Sequence, residues 1–175
     1  KIFGHHEIRL LTGPQDSGIH PIRAFRQVAQ SLLVEARARA LQHLLASNPE
    51  LVLDLYCGTG DLLQSLPPSV RWIGVESSKE AILFANSLDL PHRAKFEGFI
   101  GTVEDRLRDP RVLNKIEGRL SLYVNPPRSG LSEEARSQIL FVVDKHAPEK
   151  IAYLSCSASS LSRDLRAFED AGYRI

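Results

Sequence analysis

Methionine is absent from all 175 residues, and cysteine occurs only twice, at Cys57 and Cys156. Neither cysteine falls in a metal-type spacing, and two are too few for a disulfide scaffold. A reduced, cytoplasmic setting without a metal is therefore the expectation. No apolar run approaches the roughly 20 residues that span a bilayer, and no signal peptide opens the chain, so no membrane partner is expected. Charge of one sign is not in excess either: 22 Lys and Arg face 21 Asp and Glu, for a net charge of +1. Bulk electrostatics thus do not advertise a nucleic-acid binder. Internal repeats and low-complexity tracts are missing. What remains is 43% apolar and 25% charged, ordinary for a globular protein and long enough for one domain with a proper core. Oligomeric state is not legible in it.

Residues 1–22 carry scattered glycines and prolines and read as short strands and turns, a remnant of a preceding region or a linker. Residues 31–46 read as a helix, with Leu33, Ala36, Ala40, Leu41 and Leu44 on one face and Arg37 and Arg39 on the other. From there strands and helices alternate. Strands are expected at 51–55, 72–75, 95–99, 120–124 and 150–154, and helices after Asp61 and near 77–86, 102–108, 132–145 and 159–171. Ser77 and Glu80 match a capping box, and Gly172 closes the last helix. Alternation of this kind predicts an α/β fold with a doubly wound, mostly parallel sheet over residues 23–175. The chain stops at what reads as the start of a further strand, so the domain is expected to be truncated at its C-terminus. In such sheets ligands bind beyond the carboxyl ends of the strands. Gly58, Gly60, Glu76, Asn125 and Cys156 all stand at such ends.

Asp54-x-x-x-Gly58-x-Gly60 follows a buried strand, and glycines there let the backbone turn sharply and approach a ligand. Glu76, at the end of the next strand, suits the two hydroxyls of a ribose. The dinucleotide fingerprint asks for a further glycine where Leu63 stands, and Asp61 puts negative charge where a pyrophosphate would sit. These features favour a nucleoside cofactor without phosphate, and S-adenosylmethionine, cationic at sulfur, suits an acid-lined pocket. Asn125-Pro126-Pro127 presents an Asn side chain stiffly. Arg128 stands where amino-methyltransferases have a base-stacking aromatic, which argues against methylation of an exocyclic amine. Cys156 sits between serines at a strand end, before a helix whose N-terminus favours the thiolate. Cys57, inside the glycine turn, reads as a buried, inert thiol.

Three segments, Asp54-Leu55-Tyr56-Cys57-Gly58-Thr59-Gly60, Asn125-Pro126-Pro127-Arg128-Ser129-Gly130 and Tyr153-Leu154-Ser155-Cys156-Ser157 with Leu161-Ser162-Arg163-Asp164, resemble the RNA 5-methyluridine methyltransferase family. Phe25-Arg26-Gln27 resembles that family's opening motif. Asn at position 125 is closest to a branch that modifies 23S rRNA. The resemblance implies a Rossmann-like class I methyltransferase domain. It implies that Gln27, Tyr56, Gly58, Gly60, Asp61, Glu76 and Asn125 contact S-adenosylmethionine, and that Cys156 is the nucleophile, assisted by Asn125. Departures are Ala29 in place of an Asn, and Ile100-Gly101 where an Asp or Asn would meet the adenine. The family's general base, a Glu, belongs to a motif expected beyond residue 175, and its RNA-binding N-terminal region has no counterpart here.

Uracil chemistry explains why such an enzyme needs a thiol. Carbon 5 is a poor nucleophile; a thiolate added at carbon 6 makes carbons 4 to 6 an enolate, and carbon 5 can then accept a methyl group. A base next removes the carbon 5 proton, and the thiol leaves. The expected partner is rRNA or tRNA, with Arg128 and Arg163 as weak candidates for phosphate contacts. Two alternatives stay open. One is a methyltransferase acting at another base position; the other is a non-catalytic S-adenosylmethionine-binding or RNA/protein interaction module.

Overall fold

The computed structural model describes the backbone of residues 6–11, 22–88 and 95–175, and side chains within 32–88 and 95–175. In chain order the strands are β1 (His6–Leu11), β2 (Leu51–Leu55), β3 (Arg71–Glu76), β4 (Phe96–Ile100), β5 (Leu120–Val124), β6 (Lys150–Leu154) and β7 (Tyr173–Arg174). The helices are α1 (Ile22–Leu45), α2 (Lys79–Ser87), α3 (Val103–Arg106), α4 (Pro110–Leu113), α5 (Glu133–His146) and α6 (Ala158–Asp170). The strands form a single sheet in the order β4-β3-β2-β5-β6-β1-β7, and every pairing in it is parallel. The doubly wound α/β expectation holds.

Parallel strands need cover on both faces, so their residues are apolar almost without interruption. β2 and β5 are buried along their whole length. Side chains alternate between the two faces. Leu51, Leu53 and Leu55 join one apolar cluster with Ile139 and Val142 of α5 and Leu161, Leu165 and Phe168 of α6. Val52 and Trp72 join the other, with Ala40 and Leu44 of α1 and Leu62 and Leu63. Asp54 shares the parity of Val52, which places it on the α1 side. Its register partner on β5 is Tyr123. The chain runs outward from β2 to β3 and β4, then returns to β5 on the other side of β2. The carboxyl ends of β2 and β5 therefore flank the switch point, where such sheets open a crevice.

Several expectations need correction. Helix α1 begins at Ile22 rather than near 31; no Pro or Gly interrupts 22–45, so nothing stops it earlier. Its buried stripe runs through Ala40, His43 and Leu44, while Leu33 is 38% exposed. Arg37 is consequently not on a solvent face. The helix expected after Asp61 is one 3-10 turn, Leu63–Ser65, cut short by Pro67 and Pro68. Ser78, not Ser77, caps α2, accepting from the Ala81 amide at 3.2 Å, because the Ser77 hydroxyl donates to Glu76 at 3.0 Å. α4 was not foreseen, although Asp109 caps it and Pro110 opens it. Finally, His6–Leu11, read as part of a preceding segment, pairs with β6 from Glu7↔Lys150 to Leu11↔Leu154 and with β7.

Candidate functional site

Three turns at the carboxyl ends of β2, β5 and β6 build the site. The first follows β2. Tyr56, Gly58 and Gly60 take φ of 63°, 55° and 77°, alternate left-handed positions in which glycine is unstrained and Tyr56 is not. The Gly60 amide closes the turn on the Cys57 carbonyl at 3.0 Å. A side chain at Gly60 would also meet Ala85 of α2 at 3.2 Å. Glu76 braces the turn from the end of β3: its carboxylate accepts from the Gly58 amide at 3.2 Å and the Ser78 amide at 2.9 Å. Cys57 is buried. Burial, with Asp54 and Glu76 nearby, pushes its thiol well above the ordinary cysteine range, which agrees with an inert role.

The second turn is Asn125–Leu131. The Asn125 amide donates to the Leu55 carbonyl at 3.1 Å, tying β5's end to β2's. Beyond the prolines, α6 clamps the turn. Arg163 donates to the carbonyls of Ser129 and Leu131, each at 3.1 Å, and the Ser160 hydroxyl donates to the Arg128 carbonyl at 3.4 Å. Asp164, fully buried, accepts from the Leu131 amide at 2.9 Å, the Tyr153 hydroxyl at 2.7 Å and Arg163 Nε at 3.0 Å. Burial alone would raise its carboxyl; Arg163, the Leu131 amide and Tyr153 outweigh that and hold it below the usual range. Gly130 has φ of 79°, and a Cβ there would lie 2.6 Å from both Arg163 and Asp164.

The third turn, Ser155-Cys156-Ser157, joins β6 to α6. The Ser157 amide donates to the Ser155 hydroxyl at 3.1 Å, which in turn donates to the Ser157 carbonyl at 3.0 Å. Cys156 is exposed. The same Ser160 hydroxyl lies 3.2 Å from the Ser157 carbonyl, so its single proton is shared between the second and the third turn.

Two neighbouring cavities open beside the first and second of these turns. The larger, of about 400 Å³, has Tyr56, Glu76, Gly101, Thr102, Glu104 and Arg163 in its wall. The smaller, of about 250 Å³, has Arg37, Asp54, Tyr56, Asp61, Tyr123 and Asn125. Tyr56 belongs to both, and burial pushes its hydroxyl up to about 12. Asp54 Oδ1 is buried with no hydrogen-bond partner; burial raises its carboxyl and Arg37 draws it back.

Of the residues read from sequence, the structure thus gathers Tyr56, Gly58, Asp61, Glu76 and Asn125 around the cavities, with Arg163 in the larger. Gly60 shapes the turn from beneath. Cys156 and the exposed Arg128 stand in the walls of neither. Gln27 lies on α1, but its side chain falls outside the described residues. Sequence reasoning missed Arg37, Tyr123, Thr102, Glu104 and the clamping part of Asp164. Among the described residues no cluster could hold a metal ion, and no helix is long and apolar enough to cross a membrane.

No family model matches the chain. A protein of Caldanaerobacter subterraneus subsp. tengcongensis, named an uncharacterized RNA methyltransferase, is 36% identical over 126 residues, covering 71% of this chain and 26% of that protein. A protein of the same name from Streptomyces avermitilis is 31% identical over 163 residues, covering 90% of this chain and 33% of that protein. The chain thus spans about a third or less of the length of these curated relatives. Among solved structures, a plantazolicin methyltransferase crystallised with a triazolic desmethylPZN analogue and SAH superposes with a TM-score of 0.55 at 17% identity, covering 85% of this chain and 57% of that one. The fold is the Rossmann-like fold of class I methyltransferases.

Proposed function

We propose that this chain, which is similar to proteins named as RNA methyltransferases, methylates carbon 5 of a uridine in rRNA or tRNA, using S-adenosylmethionine and Cys156 as nucleophile. The observation that carries the reading is the clamp: α6 holds an exposed thiol turn and the Asn125–Leu131 turn together beside an acid-lined double cavity.

The cavities fit the cofactor. The Glu76 carboxylate is held by two backbone amides and retains acceptor capacity for a ribose diol. Gly101, Thr102 and Glu104 border the larger space beside it, where a purine would lie. The smaller space has Asp61 and the unpartnered Asp54 Oδ1 for the amino-acid end. When bound, the cofactor supplies a methyl carbon made electrophilic by its sulfonium.

The chain's own residues do the rest. Asn125, at the junction of β5 and the cavity, orients the uracil edge. Cys156 adds its sulfur to carbon 6 as a thiolate, which shifts the ring electrons onto carbon 5. After carbon 5 is alkylated, a base takes its proton, the carbon 5–carbon 6 double bond re-forms, and the sulfur leaves as thiolate. The uridine must turn out of any stack for its face to meet Cys156.

Mass spectrometry after incubation with S-adenosylmethionine and a 5-fluorouridine-containing RNA tests this. Fluorine cannot leave as a proton does, so the adduct should persist and map to Cys156, and Cys156→Ser should not form it. Methylation by the Cys156→Ser protein, or an adduct at Cys57, would overturn the reading.

A further inference from the structure

Arg37 has no part in the chemistry above, yet α1 delivers its guanidinium to the wall of the smaller cavity, where it pairs with Asp61 at 2.6 Å. The other ionisable walls of that cavity are Asp54, Asp61, the Cys57 thiol and the phenols of Tyr56 and Tyr123, so among the described residues Arg37 is its one cation. Its side chain is 28% exposed, too covered to be a freely solvated surface charge. A guanidinium presents five donors in a planar fork, and one oxygen of Asp61 leaves several of them uncommitted. Facing it, Asp54 keeps a buried oxygen without a partner.

A site with one cation and two carboxylates complements a ligand that carries both signs. A carboxylate entering alone would be repelled by Asp54 and Asp61 and can be received only at Arg37. An ammonium group is complementary to the two acids in the same wall. We propose that Arg37 is the receptor for the α-carboxylate of the cofactor's amino-acid end, and that Asp61 and Asp54 receive its α-ammonium. The ion pair seen here holds the two receptors side by side. The bare nucleoside is recognised elsewhere, at Glu76 and the larger cavity. This inference rests on S-adenosylmethionine being the cofactor. It adds a specificity-determining pair that distinguishes amino-acid-bearing from truncated nucleosides.

Titration calorimetry with three probes separates the possibilities. S-adenosylhomocysteine carries both charges, its decarboxylated analogue only the amine, and methylthioadenosine neither. The wild type should bind S-adenosylhomocysteine tightest. Arg37→Leu should weaken S-adenosylhomocysteine by about tenfold to a hundredfold, the scale of a lost charge-assisted hydrogen bond, while leaving the decarboxylated analogue and methylthioadenosine close to wild type. Asp61→Asn should weaken the decarboxylated analogue and spare methylthioadenosine. Binding of methylthioadenosine reports that a variant is folded; if Arg37→Leu lacks it, Arg37→Lys serves, and should weaken S-adenosylhomocysteine selectively. Equal losses for all three probes, or an unchanged affinity for S-adenosylhomocysteine, would overturn the assignment of Arg37 and leave the cofactor reading standing. A folded wild type that binds none of the three overturns both.

Discussion

Replacing Asp164 should separate the cost of losing its charge from the cost of losing its acceptors. Its Oδ2 accepts from the Leu131 amide and the Tyr153 hydroxyl, and its Oδ1 from Arg163 and, at 3.4 Å, Arg136. An Asn can keep its oxygen on the Oδ2 side, preserving the two neutral donors and turning its amide toward the guanidinium groups. These are 50% and 26% exposed, so water can take over much of what they lose. Asp164→Asn should therefore cost about 1–2 kcal/mol. Asp164→Ala also strands the Leu131 amide and the Tyr153 hydroxyl, at roughly 1–3 kcal/mol each, for a total of about 3–8 kcal/mol. That is a large part of the roughly 5–15 kcal/mol by which a domain is stable.

Urea unfolding at several pH values reads both effects. The folded Asp164 carboxyl is held below its ordinary value, so its contribution is complete above the unfolded value, near about 3.9, and is lost as pH falls through the folded one. The gap between wild type and Asp164→Asn should be constant from about pH 6 to 8 and should close below about pH 4. A gap that persists undiminished into acid, or an Asp164→Ala protein within about 1 kcal/mol of wild type, would refute the picture of a charged hub.

Three further outcomes follow from the same geometry. Iodoacetamide should label the exposed Cys156 and spare the buried Cys57 until denaturant is added, as peptide mapping would show; labelling of Cys57 in the native state would contradict its burial. Gly130→Ala places a Cβ 2.6 Å from Arg163 and Asp164 at φ 79°, so denaturant unfolding should show a loss of about 2–4 kcal/mol, whereas a neutral effect would mean that the clamp is loose. Asp54 has a raised folded value through burial, which means that its ionisation opposes folding as pH rises; Asp54→Asn should melt like wild type near about pH 4 and higher than wild type at pH 8, and a lower melting point at pH 8 would reverse that assignment.

How much of this was legible in the sequence follows from which signals are local. Apolar runs such as Leu51–Leu55 and Leu120–Val124 are bounded by turn residues and need no tertiary knowledge to be read as buried strands. The residues at their carboxyl ends inherit their place from the topology, which is why Gly58, Glu76 and Asn125 are legible together in the sequence, whereas Tyr56 enters only through the family resemblance and Cys156, read the same way, lines neither cavity. Gly58 and Gly60 announced the turn because left-handed φ favours glycine; Tyr56 adopts the same conformation without announcing it. The Ser77 cap failed because two adjacent serines are equivalent in a motif, and only the competing Glu76 carboxylate decides between them.

Arg37 was misread for a deeper reason. An apolar stripe on a helix is inferred from which residues are apolar, and Leu33 and Leu41 tilted the inferred face toward themselves. The face that packs is chosen by the partner, and the sheet surface beneath α1 is not wholly apolar: Asp54 and Tyr123 stand opposite each other in the register of β2 and β5, on the same side as Val52 and Trp72. A helix crossing such a surface gains by presenting small residues, such as Ala40, where it touches and a cation where it passes the carboxylates. Asp54 was in view, as the first residue of the glycine motif, and period-two alternation fixes its side of the sheet. What a linear reading lacks is that α1 lies on that side. A buried acid facing a helix should therefore be read together with every Arg or Lys on that helix before any of them is assigned to solvent.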